Sequence, residues 1–142
     1  MVVYNEKQLY ELWVKAWNED ISVIDNITNP GCIVHYVRRM DGNSLGNLTG
    51  VEALKEVIKD RNTFFSNIKM TVEVGPIINK PYVLSRWNLT GIYKGGISEA
   101  KVKVGKRIKL KGMDLFFMEK GKIKNYWFSW DRAHLMEQLN ML

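Results

Sequence analysis

The second half of the chain is written almost entirely in a two-residue period, and that commits it to a sheet before anything else is decided. Ile68, Met70, Val72 and Val74 alternate with Lys69, Thr71 and Glu73, the pattern of a strand with one dry and one wet face. Residues 82–93, 108–118 and 123–130 read as three further strands, the last two joined by a tight turn at Lys120-Gly121. Pro76 and Pro81 bracket the end of the first of these strands.

The first half follows the helical period instead. Asn5 and Gln8 have the spacing of an N-cap and its return partner, and Leu9, Leu12, Trp13, Ala16 and Trp17 recur on one face. A short helix over Ile21 to Ile27 stops at the turn signal Asn29-Pro30-Gly31. Residues 32–37 predict a short strand, followed by a polar loop holding Gly42 and Gly46. Thr49 and Glu52 have capping-box spacing for a third helix, on which Val51, Leu54, Ile58, Arg61 and Phe65 share a face. Leu135, Leu139 and Leu142 supply the buried stripe of a closing helix. This order predicts an α+β domain spanning residues 1–142, with helices gathered on one side of a strongly curved, mostly antiparallel sheet that closes around a pocket.

Composition narrows the chemistry. The chain opens without a basic start and long apolar run, and no stretch approaches a membrane span, so a cytoplasmic protein with no membrane partner is expected. The net charge of +6 is concentrated at Lys101, Lys103, Lys106, Arg107, Lys109 and Lys111. These alternate with apolar residues as on a solvated strand, and no nucleic-acid-binding motif accompanies them, so nucleic acid is not the expected partner. Cys32 stands alone and reads as a small buried hydrophobe. Two histidines and one cysteine make no zinc constellation, and there is neither a Gly-x-Ser-x-Gly elbow nor a Gly-rich phosphate loop. Chemistry by side chains alone, without metal or cofactor, is what remains.

Several polar residues stand in apolar company. In residues 108–118 the even positions are Ile108, Leu110, Gly112, Asp114, Phe116 and Met118, which turns Asp114 toward the apolar side. Ile123, Trp127 and Asp131 share parity in the last strand if no bulge intervenes. Arg61 lies between Ile58 and Phe65 on the helix face expected to meet the sheet. Buried charges are costly unless paired, so these residues indicate either internal ion pairs, such as Asp114 with Arg86 or Arg61, or a polar-lined cavity. Asp131 sits where an aromatic strand, Tyr126-Trp127-Phe128-Ser129-Trp130, meets the last helix. Desolvation there would raise its pKa toward the range of proton transfer, whereas a helix N-cap would hold it ionised. His35 is a structural histidine or a catalytic one, and five tryptophans, Trp17 and Trp127 among them, fit either a core or a pocket for a flat ring.

In sum of its parts the chain resembles the SnoaL-like polyketide cyclases of the nuclear-transport-factor-like superfamily, whose cone-shaped α+β fold is a cystatin-like roll. The marks are Gly50-Val51-Glu52-Ala53-Leu54, Arg61 with Phe64, Arg86-Trp87-Asn88-Leu89-Thr90-Gly91, Gly121-Lys122-Ile123, Trp127, Asp131 and Gln138-Leu139, in that order. The resemblance implies that Asp131 is the general acid/base of an intramolecular aldol ring closure that uses no cofactor. It departs from the family where Asp114 replaces a histidine of the penultimate strand and Tyr93 replaces the one after Thr-Gly.

The expectation is therefore a cyclase- or isomerase-type enzyme acting on a small hydrophobic, ring-containing carbonyl compound. Asp131 and His35 are its catalytic candidates, with Arg61, Asp114, Trp127, Arg86 and Trp17 around the substrate. A binding domain of the same shape and a basic interaction module are the alternatives. The apolar second face formed by Tyr126, Phe128 and Trp130 predicts a homodimer.

Overall fold

The computed structural model describes residues 3–142. Helix α1 (Glu6–Asn18) opens on the expected capping box, with Asn5 and Gln8 each bonded to the other's backbone. A single 3-10 turn over Ile21–Val23 leads into α2 (Ile24–Ile27). Strands β1 (Thr28–Arg38) and β2 (Ser44–Thr49) precede α3 (Val51–Phe64). Then come β3 (Phe65–Asn79), β4 (Tyr82–Tyr93), β5 (Arg107–Glu119), β6 (Lys122–Trp130) and the short helix α4 (Arg132–Gln138). The six strands form one sheet in the order β2-β1-β6-β5-β4-β3, antiparallel throughout except where β1 runs parallel to β6. Helices α1 and α3 cover its inner face through Leu9, Trp13, Ala16, Leu54, Val57 and Ile58, all buried.

Four local expectations change. The Asn29-Pro30-Gly31 signal ends no element: it lies inside β1, where the pairing with β6 shifts register between Thr28 and Ile33 and absorbs it. The Gly-containing loop is in part a strand, because β2 pairs with β1 through its backbone whatever its side chains are. Pro76 does not end β3, which runs on to Asn79: the pairing with β4 shifts register around it, between Val74 and Ile77, and an edge strand needs no donor on its open side. The N-cap of helix α3 is Gly50, whose φ of 104° suits glycine, and no side chain caps it, so the Thr49–Glu52 box does not form.

The register along the sheet decides which side chains look inward. Between β4 and β5 it runs without a break from Tyr82 opposite Phe117 to Ile92 opposite Arg107. Val83, Ser85, Trp87 and Leu89 of β4 therefore share the inner face with Phe116, Asp114, Gly112 and Leu110 of β5. Between β5 and β6 it slips once: Phe117 faces Asn125 but Met118 faces Ile123, leaving Lys124 as the extra residue of a bulge. That one residue reverses the rest of β6. Tyr126, Phe128 and Trp130 stand opposite Phe116, Asp114 and Gly112 and so face inward, while Trp127 and Ser129 face outward. The expected second apolar face of β6 is in fact its inner one.

Beyond the end of β6, strand β5 has a bare edge at residues 107–111. The Asp131 N–H takes the Lys111 carbonyl at 3.0 Å. The Gln138 side-chain amide then makes both bonds of a missing strand to Lys109, accepting from its N–H and donating to its carbonyl at 2.8 Å each. This holds α4 against the sheet.

Candidate functional site

Under the helices the inner face of the sheet is built of rings around one carboxylate. Tyr10, Trp13 and Trp17 lie three and four residues apart on α1 and so project from one side of it. Trp13 packs on Phe116 and Tyr126 with ring centroids 5.2 and 5.1 Å apart, and Tyr126 stacks on Phe116 at 4.8 Å and on Phe128 at 5.2 Å. Asp114, on the central strand β5, is 1% exposed. Its Oδ1 accepts from the Tyr126 hydroxyl at 2.5 Å, and its Oδ2 from the Trp13 indole N–H at 3.1 Å and the Tyr10 hydroxyl at 3.3 Å.

The electrostatics follow from that burial. Loss of water pushes the Asp114 carboxyl up to about 6, against the pull of its donors. Trp87 adds to that pull, although its indole N–H completes no hydrogen bond. The phenols of Tyr126 and Tyr10 are pushed well above their usual range, by burial first and by the neighbouring carboxylate second. Both therefore stay protonated and act as donors.

Arg61 is the second buried charge, 2% exposed. Its guanidinium carbon lies 5.3 Å from the Trp130 ring, 5.6 Å from Phe128 and 6.0 Å from Trp17, an aromatic box of the kind that receives cations. Asp60 approaches Nη1 at 3.6 Å, and the Val57 carbonyl accepts from it at 3.4 Å. Burial lowers the Arg61 pKa, while Asp60, Tyr126 and Asp114 oppose that effect in decreasing order. The Nε–H of Arg61 has no partner, and neither have the indole N–H groups of Trp17 and Trp87. All three are buried donors that lack an acceptor, which native interiors rarely tolerate.

On the helix side a cleft of about 310 Å³ separates the end of α1 from α3, lined among others by Trp17, Asn18, Ile58 and Asn62. Trp17 forms part of its floor and lies against Arg61 and Trp13 behind it, its ring 6.0 Å from each. Among the described residues no group of three or more His, Cys, Asp or Glu side chains comes together as a metal site would require.

The seven residues singled out in the sequence fall into three places. Asp114, Arg61 and Trp17 meet in the interior. His35, Trp127 and Arg86 lie on the opposite, outer face. His35 stacks on Trp127 at 4.5 Å and 9°, with Nε2 3.0 Å from the Asn125 side-chain oxygen, and Arg86 bonds Glu73 at 2.9 Å. Arg86 is thus no partner of Asp114. Asp131 is at the rim and exposed, its Oδ1 accepting from the His134 N–H at 3.0 Å as the N-cap of α4. The aromatic surroundings expected to desolvate Asp131 do not enclose it, because the bulge turned those rings inward while the chain turned outward. Tyr10, Tyr126 and Trp87 were missed as site residues. Tyr10 carried a signal, three residues before Trp13 on the same helical face, whereas Tyr126 was placed on the wrong face by the unseen bulge.

The family model for SnoaL-like polyketide cyclases matches residues 7–139. No protein in the curated set is matched by sequence. Among solved structures, TsrD of Streptomyces laurentii superposes with a TM-score of 0.78 at 21% identity, covering 96% of this chain and 95% of its own. IdmH of Streptomyces antibioticus gives 0.81 at 16% identity, with 96% and 99% covered. A protein of Catenulispora acidiphila with a ketosteroid isomerase-like fold, in complex with trimethylamine, gives 0.73 at 13% identity, with 97% and 96% covered. At these identities the likeness establishes the fold.

Proposed function

The chain belongs to the SnoaL-like polyketide cyclase family, and from that premise we propose that it catalyses cofactor-free proton transfer on a ring-containing carbonyl compound with Asp114 as the acid/base. The observation that carries this reading is the Asp114 carboxyl itself, buried and pushed up to about 6, so that both of its protonation states are within reach near neutral pH. As carboxylate, Asp114 takes a proton from the carbon next to the carbonyl, and the C–H electron pair moves into an enolate. Once Asp114 is protonated it holds the phenols of Tyr126 and Tyr10 less strongly, and their O–H groups, released to the enolate oxygen, together with the positive charge of Arg61 supply the stabilisation it needs. In a ring closure the enolate carbon attacks a second carbonyl of the same molecule, and the resulting alkoxide takes the proton back from Asp114. Asp131, exposed and engaged as a cap, is assigned to holding α4.

The test is deuterium uptake at the α-carbon of 1-indanone or 2-tetralone, followed by NMR. Wild type should accelerate uptake over buffer, Asp114→Asn should lose at least about 100-fold of that acceleration, and Asp131→Asn should keep it. Loss in Asp131→Asn with retention in Asp114→Asn would reverse the assignment. One observation favours a second reading, a binding domain of the same shape: protein donors already occupy both Asp114 oxygens. Absence of uptake in wild type would support it.

We place the expected homodimer on the outer face, where Tyr82, Leu84, Met113, Leu115, Phe117 and Trp127 present apolar surface.

A further inference from the structure

Among the described residues the buried side-chain groups without a hydrogen-bond partner are four donors and one acceptor; Arg39 Nε and the acceptor, Asp60 Oδ1, face each other at 3.6 Å, which leaves three donors, on Trp17, Arg61 and Trp87, and gives the interior a direction. It is short of oxygen lone pairs. Two of the three, the Trp17 indole N–H and the Arg61 Nε–H, belong to side chains in contact, the guanidinium carbon lying 6.0 Å from the Trp17 ring centroid. Arg61 is a cation whose one carboxylate at ion-pair distance among the described residues, Asp60, is shared: its Oδ2 also accepts from the Met40 N–H at 2.8 Å, and its Oδ1 faces Arg39 at 3.6 Å. The Arg61 charge is therefore incompletely answered from the protein side. Trp17 is also the one residue that belongs both to this cluster and to the cleft between α1 and α3.

From cleft to carboxylate the contacts are continuous. Trp17 meets Trp13 edge to face at 6.0 Å, and the Trp13 N–H donates to Asp114. A ligand that displaces the Trp17 ring from the cleft floor meets Arg61 first and Asp114 behind it. Nothing of the kind exists on the outer face, where His35, Arg86 and Lys111 are each paired with a neighbouring side chain.

We propose that the α1–α3 cleft is the way in to Asp114, with Trp17 as its movable floor, and that the ligand is a flat ring compound carrying a delocalised oxyanion, an enolised β-dicarbonyl or a carboxylate, which the Trp17 N–H and the Arg61 Nε–H bind. This rests on Asp114 being the reacting group, and it specifies the substrate class for that group. A delocalised oxyanion offers two acceptor oxygens in one plane, which suits one indole N–H and one guanidinium N–H. A neutral ketone offers a weaker acceptor and leaves the Arg61 charge unanswered. The bound oxyanion would hold the substrate while Asp114 acts on the adjoining carbon, so Trp17 and Arg61 set specificity rather than transfer the proton.

The experiment uses the full chain with three probes of similar size: 1,3-indandione, 2-naphthoate and uncharged 1-indanone. Affinity is read by tryptophan fluorescence, and the indole N–H resonances by 15N NMR. Wild type should bind at least one of the two anions at least tenfold more tightly than 1-indanone, with a shift of the indole resonance that disappears in Trp17→Phe. Which anion binds distinguishes the enolate from the carboxylate. Trp17→Phe removes the N–H together with the five-membered ring, so the readout is the difference between probes: it should weaken anion binding about tenfold more than 1-indanone binding. Asn62→Trp, at an exposed position on the cleft rim, should slow association at least tenfold with the same thermal melt as wild type. Equal affinity for charged and neutral probes, no binding of any of the three, or an unchanged indole resonance would overturn the proposal. Selective anion binding through Trp17 without deuterium uptake would leave this inference standing and remove the catalytic reading. Deuterium uptake in 1-indanone together with equal affinity for the charged and neutral probes would do the opposite.

Discussion

The two faces of the sheet carry similar side chains and use them in opposite ways. On the inner face Asp114 and Arg61 are each at most 2% exposed, with phenol and indole donors around the carboxylate and unmet donors beside the guanidinium. On the outer face the polar groups are answered locally: Arg86 and Lys111 by Glu73, His35 by Asn125 and the Trp127 ring. Surface pairs of that kind cost little to form and little to lose. The inner cluster is costly to bury and incompletely satisfied, the condition under which function accounts for a structure better than stability does. Aromatic content alone would not tell the faces apart, since Trp127 and Phe117 lie on the outer one and Trp87 and Phe116 on the inner.

The largest test of the difference is steric. Gly112 sits beneath the Trp87 indole, so a Cβ there would fall 2.6 Å from the ring's Cη2 and 2.7 Å from the Ser129 carbonyl oxygen. Gly112→Ala should cost about 3 kcal/mol or more in chemical denaturation, because neither a core ring nor a backbone oxygen can give way cheaply. Met113→Ala, its outward neighbour, should cost under about 1 kcal/mol. Equal costs would mean that the two faces are equally forgiving.

Next comes a pH effect confined to the inner face. Asp114 has its folded pKa raised to about 6 from an ordinary 3.8, so between those values the native chain holds a proton that the unfolded chain has released. Its contribution to stability is therefore fully present below about pH 4 and is lost as pH rises through 6, amounting to at most about 3 kcal/mol. Subtracting the stability-versus-pH curve of Asp114→Asn from that of wild type should reveal this fall. A flat difference curve between pH 4 and 7 would show that the carboxyl is not desolvated as its surroundings require.

Much of this division was legible before the fold was known, and where it was not, the reasons are specific. The inward direction of Asp114 is legible in the sequence because the β4–β5 register is unbroken, so that simple parity holds over its full length. Tyr126, Phe128 and Trp130 were placed on the wrong face because a bulge at Lys124 inverts everything after it, and no glycine or proline marks that position. The β2 strand was unreadable because an edge pairing through backbone bonds places no demand on side-chain pattern. Helical spacing alone turns Arg61 inward, but the rings that receive it come from α1 and β6, which no local window joins. Asp131 fits both a cap and a base at its place in the chain, and the cap is the contact it makes.

The smallest effect on folding belongs to the outer face, and it bears on assembly. Leu115→Lys, half-buried on that face opposite Trp127, should change stability by no more than about 1 kcal/mol. It should also convert a particle of twice the 16.5 kDa chain mass into a monomer by light scattering. A wild-type monomer at micromolar concentration would remove the outer face as an interface and leave its apolar side chains without a stated use.

The amide of Gln138 has a consequence beyond fastening a helix. Where β6 stops, β5 would otherwise present a row of open backbone groups between Arg107 and Lys111, a template on which an extended segment of another chain could add itself. Completing the ladder with a side chain closes that template without supplying a further strand, and the cations at 107, 109 and 111 repel the same basic edge of another copy. The amide of Gln138 thus protects the chain from its own copies, and Gln138→Ala, which spares the buried Leu135 and Leu139, should show first as insolubility, before any change in what the interior can do.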